Sequence, residues 1–241
     1  MKRRAFIGRG MAAILASRRA PAFCIALRNG MMRPSAPPTP PLPYDAEVEY
    51  LESTGTQWID TGTTLKSYSQ IDCDFIGLGL SNKAVFGCSN GSAYNSGAIE
   101  LFWLESAVRT RFEVVAPASN SASQILAFSP SYSVGTLYSV RYNKDVFSLN
   151  GDSGTSNWYS DYVGTRNLYI FATNRGSASY NSDCKMFLFK ISANGTLVRD
   201  FIPVRFTNEL GQSEGAMYDK VSGRLFRNQG TGAFTYGPDK S

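Results

Sequence analysis

From Tyr44 onward the chain repeats with a period of two, and this constrains its fold more than any other feature. Residues 70–75 (QIDCDF) alternate polar and apolar side chains, which puts Ile71, Cys73 and Phe75 on one face of a strand. Residues 108–114 do the same, with Val108, Phe112 and Val114 inward and Arg109, Arg111 and Glu113 outward. Residues 137–142 and 185–191 continue the pattern, and 167–172 (NLYIFA) form a continuous apolar run suited to a strand covered on both faces. Val, Ile, Tyr and Phe recur in these segments, which is the composition of pleated, half-buried surface. Asn90-Gly91, Asn150-Gly151 and Asn194-Gly195 are dipeptides that accept positive φ in tight hairpins. Two of them begin glycosylation acceptors, Asn90-Gly91-Ser92 and Asn194-Gly195-Thr196, and both read here as turns. No helical stripe of comparable strength is present, and one short helical turn is expected near 215–220. Strands recurring at intervals of roughly 8–12 residues predict an all-β, two-sheet antiparallel β-sandwich of the large jelly-roll kind.

The 241 residues contain no histidine. That removes Ser-His and Cys-His nucleophile pairs, histidine general bases and histidine metal sites together. No apolar run approaches the length of about 18 residues that a membrane-spanning helix needs, so no membrane span is expected. The net charge of +5 misleads unless it is divided along the chain. The first 43 residues hold eight of the 24 Lys and Arg and no acid. The remainder holds 16 basic against 19 acidic residues, a net of −3. A slightly acidic body lacks the basic footprint of a nucleic-acid binder, and no nucleic acid is expected as partner.

Residues 1–34 read as a basic leader. Lys2-Arg3-Arg4-Ala5-Phe6-Ile7 resembles a twin-arginine export signal, residues 11–16 supply a short apolar region, and Ala20-Pro21-Ala22 has the small-x-small form of a cleavage site. Arg18-Arg19 and the proline depart from the usual pattern, and a basic tail is the other reading. No lipobox precedes Cys24. An export signal places the body outside the cytoplasm: periplasmic, cell-surface or secreted. Residues 35–43 carry five prolines in nine positions, a Pro-rich linker that favours extended polyproline II. It serves either as a stiff spacer or as a passive boundary before the domain at 44–241.

Two blocks of the body resemble a known family. Residues 49–62 (EYLESTGTQWIDTG) are similar to the opening signature of bacterial and phage-associated laminin-G-like, concanavalin A-like lectin/glucanase domains. Residues 200–205 (DFIPVR), 215–226 (GAMYDKVSGRLF) and 228–234 (NQGTGAF) resemble the closing segment of the same group. The blocks bracket roughly residues 47–237. The resemblance implies a jelly roll, often with a concave face that binds carbohydrate or protein, while many members of the group have no assigned ligand. It carries fold better than function. Gly55, Gly62, Gly223, Gly230 and Gly232 look like turn residues, and Trp58, Ile59, Phe226 and Phe234 look like core.

Four kinds of chemistry have candidate residues in the chain. Some enzymes on this fold carry a Glu-x-Asp-x-Glu strand whose alternation sets an acid and a nucleophile on one face. The chain has no such motif; Asp45-x-Glu47-x-Glu49 and Asp72-x-Asp74 come nearest, and solvated strand faces account for both. Relatives of the fold often bind calcium, and Asn150, Asp152 and Asn157 share one loop while Asp183 falls in another, so Ca2+ is the one cofactor considered. Asn and Asp in such loops equally serve turns. Trp103, Trp158, Tyr159 and Tyr162 supply flat rings that stack on sugars, or core volume for a sandwich of this size. Arg109 and Arg111 share an outward face that suits an acidic glycan or simple solubility. Among Cys73, Cys88 and Cys184, one disulfide can form, and Cys73 and Cys184 meet if their strands are neighbours as in relatives of this fold. Buried thiols are the alternative.

These readings converge on an exported, non-catalytic binding module for a glycan or a surface protein, a lectin in type. Two alternatives stand beside it: a structural or adhesion component of a surface or phage-like assembly, and a glycoside hydrolase or lyase on the same fold.

Overall fold

The computed structural model describes the backbone of residues 41–79, 82–93, 95–106, 109–131, 133–143, 146–155 and 159–241. It describes their side chains except at 104–106, 109–114 and 125–131. The leader, Cys24, Asn157, Trp158 and the start of the proline run therefore lie outside the described residues.

Among the described residues the chain forms β1 Ala46–Glu47, β2 Leu51–Thr54, β3 Ile59–Lys66, β4 Ser69–Gly77, β5 Lys83–Ser89, β6 Ala98–Ser106 and β7 Arg109–Pro117. It continues through β8 Ser123–Ser131, β9 Leu137–Asn143, β10 Val146–Leu149, β11 Asp152–Thr155, β12 Val163–Ile170 and β13 Thr173–Asn174. The last are β14 Ala178–Ser179, β15 Asp183–Ala193, β16 Thr196–Thr207, β17 Ser213–Asp219, β18 Arg224–Phe226 and β19 Thr235–Tyr236. These strands make two sheets. The larger runs β11-β10-β9-β4-β15-β16-β17-β18, with β2 beside the first part of β15, β19 beside β2, and β1 beside the end of β16. The smaller runs β14-β13-β5-β6-β7-β8, with β12 bridging β5 to β3. Among the described strands every pairing is antiparallel except β13 on β5, beside which Ala84 also makes a parallel bridge to Asn181. The expected all-β, two-sheet sandwich is the observed fold.

Alternation in sequence becomes layering in space. In β4, Ile71, Cys73 and Phe75 are buried while Asp72 and Asp74 face outward, as their period requires. Met186, Phe189 and Ile191 of β15 join them from the larger sheet, and Phe86, Ile99, Leu101, Trp103 and Ile170 close the core from the smaller one. Phe75 stacks on Trp103 with centroids 6.0 Å apart, and Phe86 meets Phe189 edge-on at 5.5 Å, so aromatic pairs tie sheet to sheet.

Two of the three Asn-Gly dipeptides form the expected hairpins. Leu149 pairs with Asp152 and Ala193 with Thr196, which leaves Asn150-Gly151 and Asn194-Gly195 as two-residue turns with all four φ positive. Asn90-Gly91 does not. It opens the long connection between β5 and β6, where the Asn90 amide accepts from Thr165 N and donates to Asn120 O and Val163 O. Its side chain ties this connection to the β7–β8 loop and to the start of β12.

The expected helical turn near 215–220 is instead strand β17. Seven consecutive register pairs to β16 outweigh local propensity there. Gly215 fits because a β-carbon would sit 2.5 Å from Leu51 Cδ1, so the strand must pass close to the core. The closing motif does what its glycines suggest. A β-carbon on Gly230 would lie 2.0 Å from Thr56 O, so only glycine lets the C-terminal loop lie against the residues before β3.

Candidate functional site

The outward face of the larger sheet carries a row of alternating charges. Arg141 stands opposite Asp72 across β9 and β4, Asp72 opposite Lys190 across β4 and β15, and Lys190 opposite Asp200 across β15 and β16. Arg141 Nε donates to Asp72 Oδ1 at 2.7 Å, and Lys190 Nζ lies 3.5 Å from Asp200 Oδ1. Opposite charges placed directly across a ladder attract, while like charges would repel, so the row favours this register. One pleat further along, Asp74 stands between Ser139 and Leu188. Among the described residues the Asp74 side chain makes no hydrogen bond or ion pair.

An open depression of about 510 Å³ follows this face, lined by Asp72, Asp74, Ser139, Arg141, Ser148 and Lys190, with Leu188 in its floor. Leu137, 49% exposed, lies next to Ser139's row at one end, opposite Ile76 of β4. The trough therefore combines acceptors, donors and hydroxyls with an apolar border. Such a surface suits a ligand that is itself amphipathic. A second, smaller polar cavity of about 230 Å³ lies between Glu214 and the 228–234 loop, where Arg227 stacks on Phe206 at 4.4 Å.

None of the ligand- and metal-binding residues expected from sequence whose side chains are described lines this trough. Trp103 is fully buried between the sheets and offers no face to a ligand; its place in the alternation of β6 sends it inward with Ile99 and Leu101. Tyr159 is half-buried against the same core. Trp158 lies outside the described residues, as do the side chains of Arg109 and Arg111, whose backbone forms the start of β7. Tyr162 is buried and donates to Gly97 O. The Asn150 amide accepts from Ser139 N at 2.7 Å and donates to Leu137 O, so it closes its own hairpin against β9 and leaves no oxygen aimed at a metal. Asp152 is exposed in the edge strand β11, and Asp183 begins β15 rather than sitting in a loop. Among the described residues no three His, Cys, Asp or Glu groups converge as a metal site would need.

Cys73, Cys88 and Cys184 are free and buried. The strands of Cys73 and Cys184 are indeed neighbours, but Cys184 registers with Gly77 and Cys73 with Phe189. Four residues of offset put their α-carbons on the order of 13 Å apart, too far for a disulfide. Burial raises all three thiols, Cys88 and Cys184 to about 12. Neutral thiols are thus favoured by folding. Their contribution is whole below the ordinary value near 9 and is lost as pH rises toward about 12. The thiols are therefore expected to make thermal stability fall as pH rises above about 9, and a reductant is expected to leave the melting temperature unchanged. A melting temperature that dropped with reductant would show a disulfide after all.

What sequence reasoning missed is the charge row. Asp72-x-Asp74 was visible as an outward pair, but its partners come from strands more than 60 residues away, and only register brings them together.

No protein-family model matches the chain, and no curated protein matches it by sequence. Among solved structures it is similar to the native heptameric SAP-like pentraxin of Limulus polyphemus, at 12% identity over 61% of this chain and 76% of that one, with a TM-score of 0.43. It is similar to the CBM40 of the Ruminococcus gnavus IT-sialidase bound to alpha2,3 sialyllactose, at 10% identity over 59% and 89%, with a TM-score of 0.41. Tailspike protein 2 of the Escherichia coli O157:H7 bacteriophage CAB120 matches at 11% identity over 64% of this chain and 27% of that one, with a TM-score of 0.39. These are distant likenesses, and they assign no family.

Proposed function

We propose that the domain is an exported, non-catalytic recognition module that binds a glycan through the outward face of its larger sheet. The observation that carries this reading is the open trough itself. Sugars present hydroxyls that both donate and accept, together with apolar C–H faces. Here Asp72 and Asp74 accept, Arg141 and Lys190 donate, Ser139 and Ser148 do both, and Leu137 and Leu188 border them. Most glycoside hydrolases use a pair of carboxyl groups on either side of the bond to be cut. Asp72 is paired with Arg141 and Asp74 is not, an arrangement that favours holding a ligand over cleaving one. The leader supports export, and the proline-rich run supports presentation away from a surface.

The test is a screen of the full chain against a printed panel of neutral, sialylated and sulfated glycans, with bound glycan eluted and sized. Reproducible binding to one class, retained in a chelator, with glycan recovered intact, is the expected result. Silence from a folded, monodisperse sample would sink the lectin reading and favour a role in protein binding or assembly. Shortened glycan would favour the hydrolase.

A further inference from the structure

From the charge balance of the trough, and resting on the reading just given, we infer that its ligand is a neutral glycan whose adjacent hydroxyls are held by Asp74. Three features of the same surface lead there.

The first is that the cations are already neutralised. Arg141 is held by Asp72 at 2.7 Å, and Lys190 lies between Asp72 and Asp200, 3.5 Å from the latter. Asp72, Asp74 and Asp200 stand against Arg141 and Lys190, so the row and its neighbour carry one more negative than positive charge. An acidic sugar would approach a surface with no unbalanced cation and would meet Asp74 without a counter-charge. A neutral sugar meets no such repulsion.

The second is the state of Asp74. Its partners across the ladder are Ser139 and Leu188, and neither carries a charge. A carboxylate has two oxygens that only accept, so two neighbouring hydroxyls satisfy it side by side, with charge-assisted O–H···O⁻ bonds. Donor-rich neutral sugars supply this pairing, whereas an anion supplies acceptors that Asp74 cannot use.

The third is spacing. Asp72 and Asp74 are two residues apart on one strand, roughly 7 Å along the face. Leu188 lies beside Asp74 on β15, in the trough floor, and Ser139 stands across on β9. A sugar ring lying over Leu188 with hydroxyls turned to Asp74 has further donors and acceptors within reach at Ser139 and Arg141.

The experiment measures affinity of the full chain for neutral gluco-, galacto- and manno-oligosaccharides and for their sialylated and sulfated counterparts, alongside Asp74→Asn. Asparagine keeps the size of the side chain but replaces one acceptor with a donor. Binding to a neutral oligosaccharide is expected in the wild type, with no gain from sialic acid or sulfate. Asp74→Asn is expected to weaken it at least about tenfold while the melting curve stays in place. Asp74→Ser serves if the asparagine variant misfolds. Preference for acidic glycans would overturn the neutral class but leave the recognition reading standing. Unchanged affinity in both variants would overturn the role of Asp74. Absence of binding to any glycan in the wild type would overturn the recognition reading and this inference with it.

Discussion

Replacing Arg175 with alanine is expected to lower the melting temperature by about 6–20 °C, although the residue is remote from the trough. Glu100 is fully buried on the outer face of the smaller sheet. It accepts from Arg175 Nε at 2.9 Å, from Arg175 Nη2 at 2.7 Å and from Thr173 Oγ1 at 2.5 Å. The guanidinium in turn sits 4.8 Å from the ring of Tyr180 and 5.5 Å from that of Phe102. Arg175, from the short β13–β14 hairpin beside β5, and Tyr180 thus brace Phe102 and the ion pair together. Removing the cation leaves a carboxylate buried without its counter-charge, and such a loss costs about 3–5 kcal/mol. At about 2–4 °C per kcal/mol for a domain of this size, the predicted range follows. The same substitution at Arg141, whose side chain is 65% exposed, should cost no more than about 1 kcal/mol because solvent screens that pair. Calorimetry of both variants checks the contrast; equal losses would contradict it.

Trp103→Ala is the second large expected effect. Truncating a fully buried tryptophan removes its apolar contacts and leaves a cavity, for a loss of about 3–5 kcal/mol. The ring stacks on Phe75, so the variant should loosen the contact between the sheets. Denaturant unfolding measures the loss. Glycan affinity per folded molecule should be unchanged, because Trp103 faces the core and the trough lies on the far side of β4. A stable Trp103→Ala that had lost binding would make the ring a ligand platform and contradict its burial.

The two ion pairs also show how much of the molecule was legible in sequence. Alternation in 70–75 placed Ile71, Cys73 and Phe75 inward and Asp72 and Asp74 outward, because burial on one side of a strand leaves its mark on every second residue. Asn150-Gly151 and Asn194-Gly195 were legible because their backbone needs are local. Asn90-Gly91 carries the same dipeptide, yet its side chain is taken by Thr165 and Asn120, contacts that no local pattern announces. Glu100 is the clearest loss. In the sequence it is a polar residue between Ile99 and Leu101, the signature of a solvated strand face. Its charge is met by Arg175, 75 positions away, and by Thr173, which the β13–β14 hairpin brings beside β5. The trough was hidden for the same reason. The pairing of Arg141, Asp72, Lys190 and Asp200 is a property of register among four strands. Cys73 and Cys184 make the point from the other side: neighbouring strands were expected and found, and a register offset of four residues still parts the thiols.

The central claim is that the outward face of the larger sheet is where a ligand is held. The most direct measurement is glycan-panel binding by full-length Ser139→Trp, which fills the trough opposite Asp74, beside Leu210→Lys, a change at a turn residue that is 82% exposed. Loss of binding in the first and retention in the second, with both folded, is the predicted result. Equal binding by both would place the ligand elsewhere on the molecule and contradict the account.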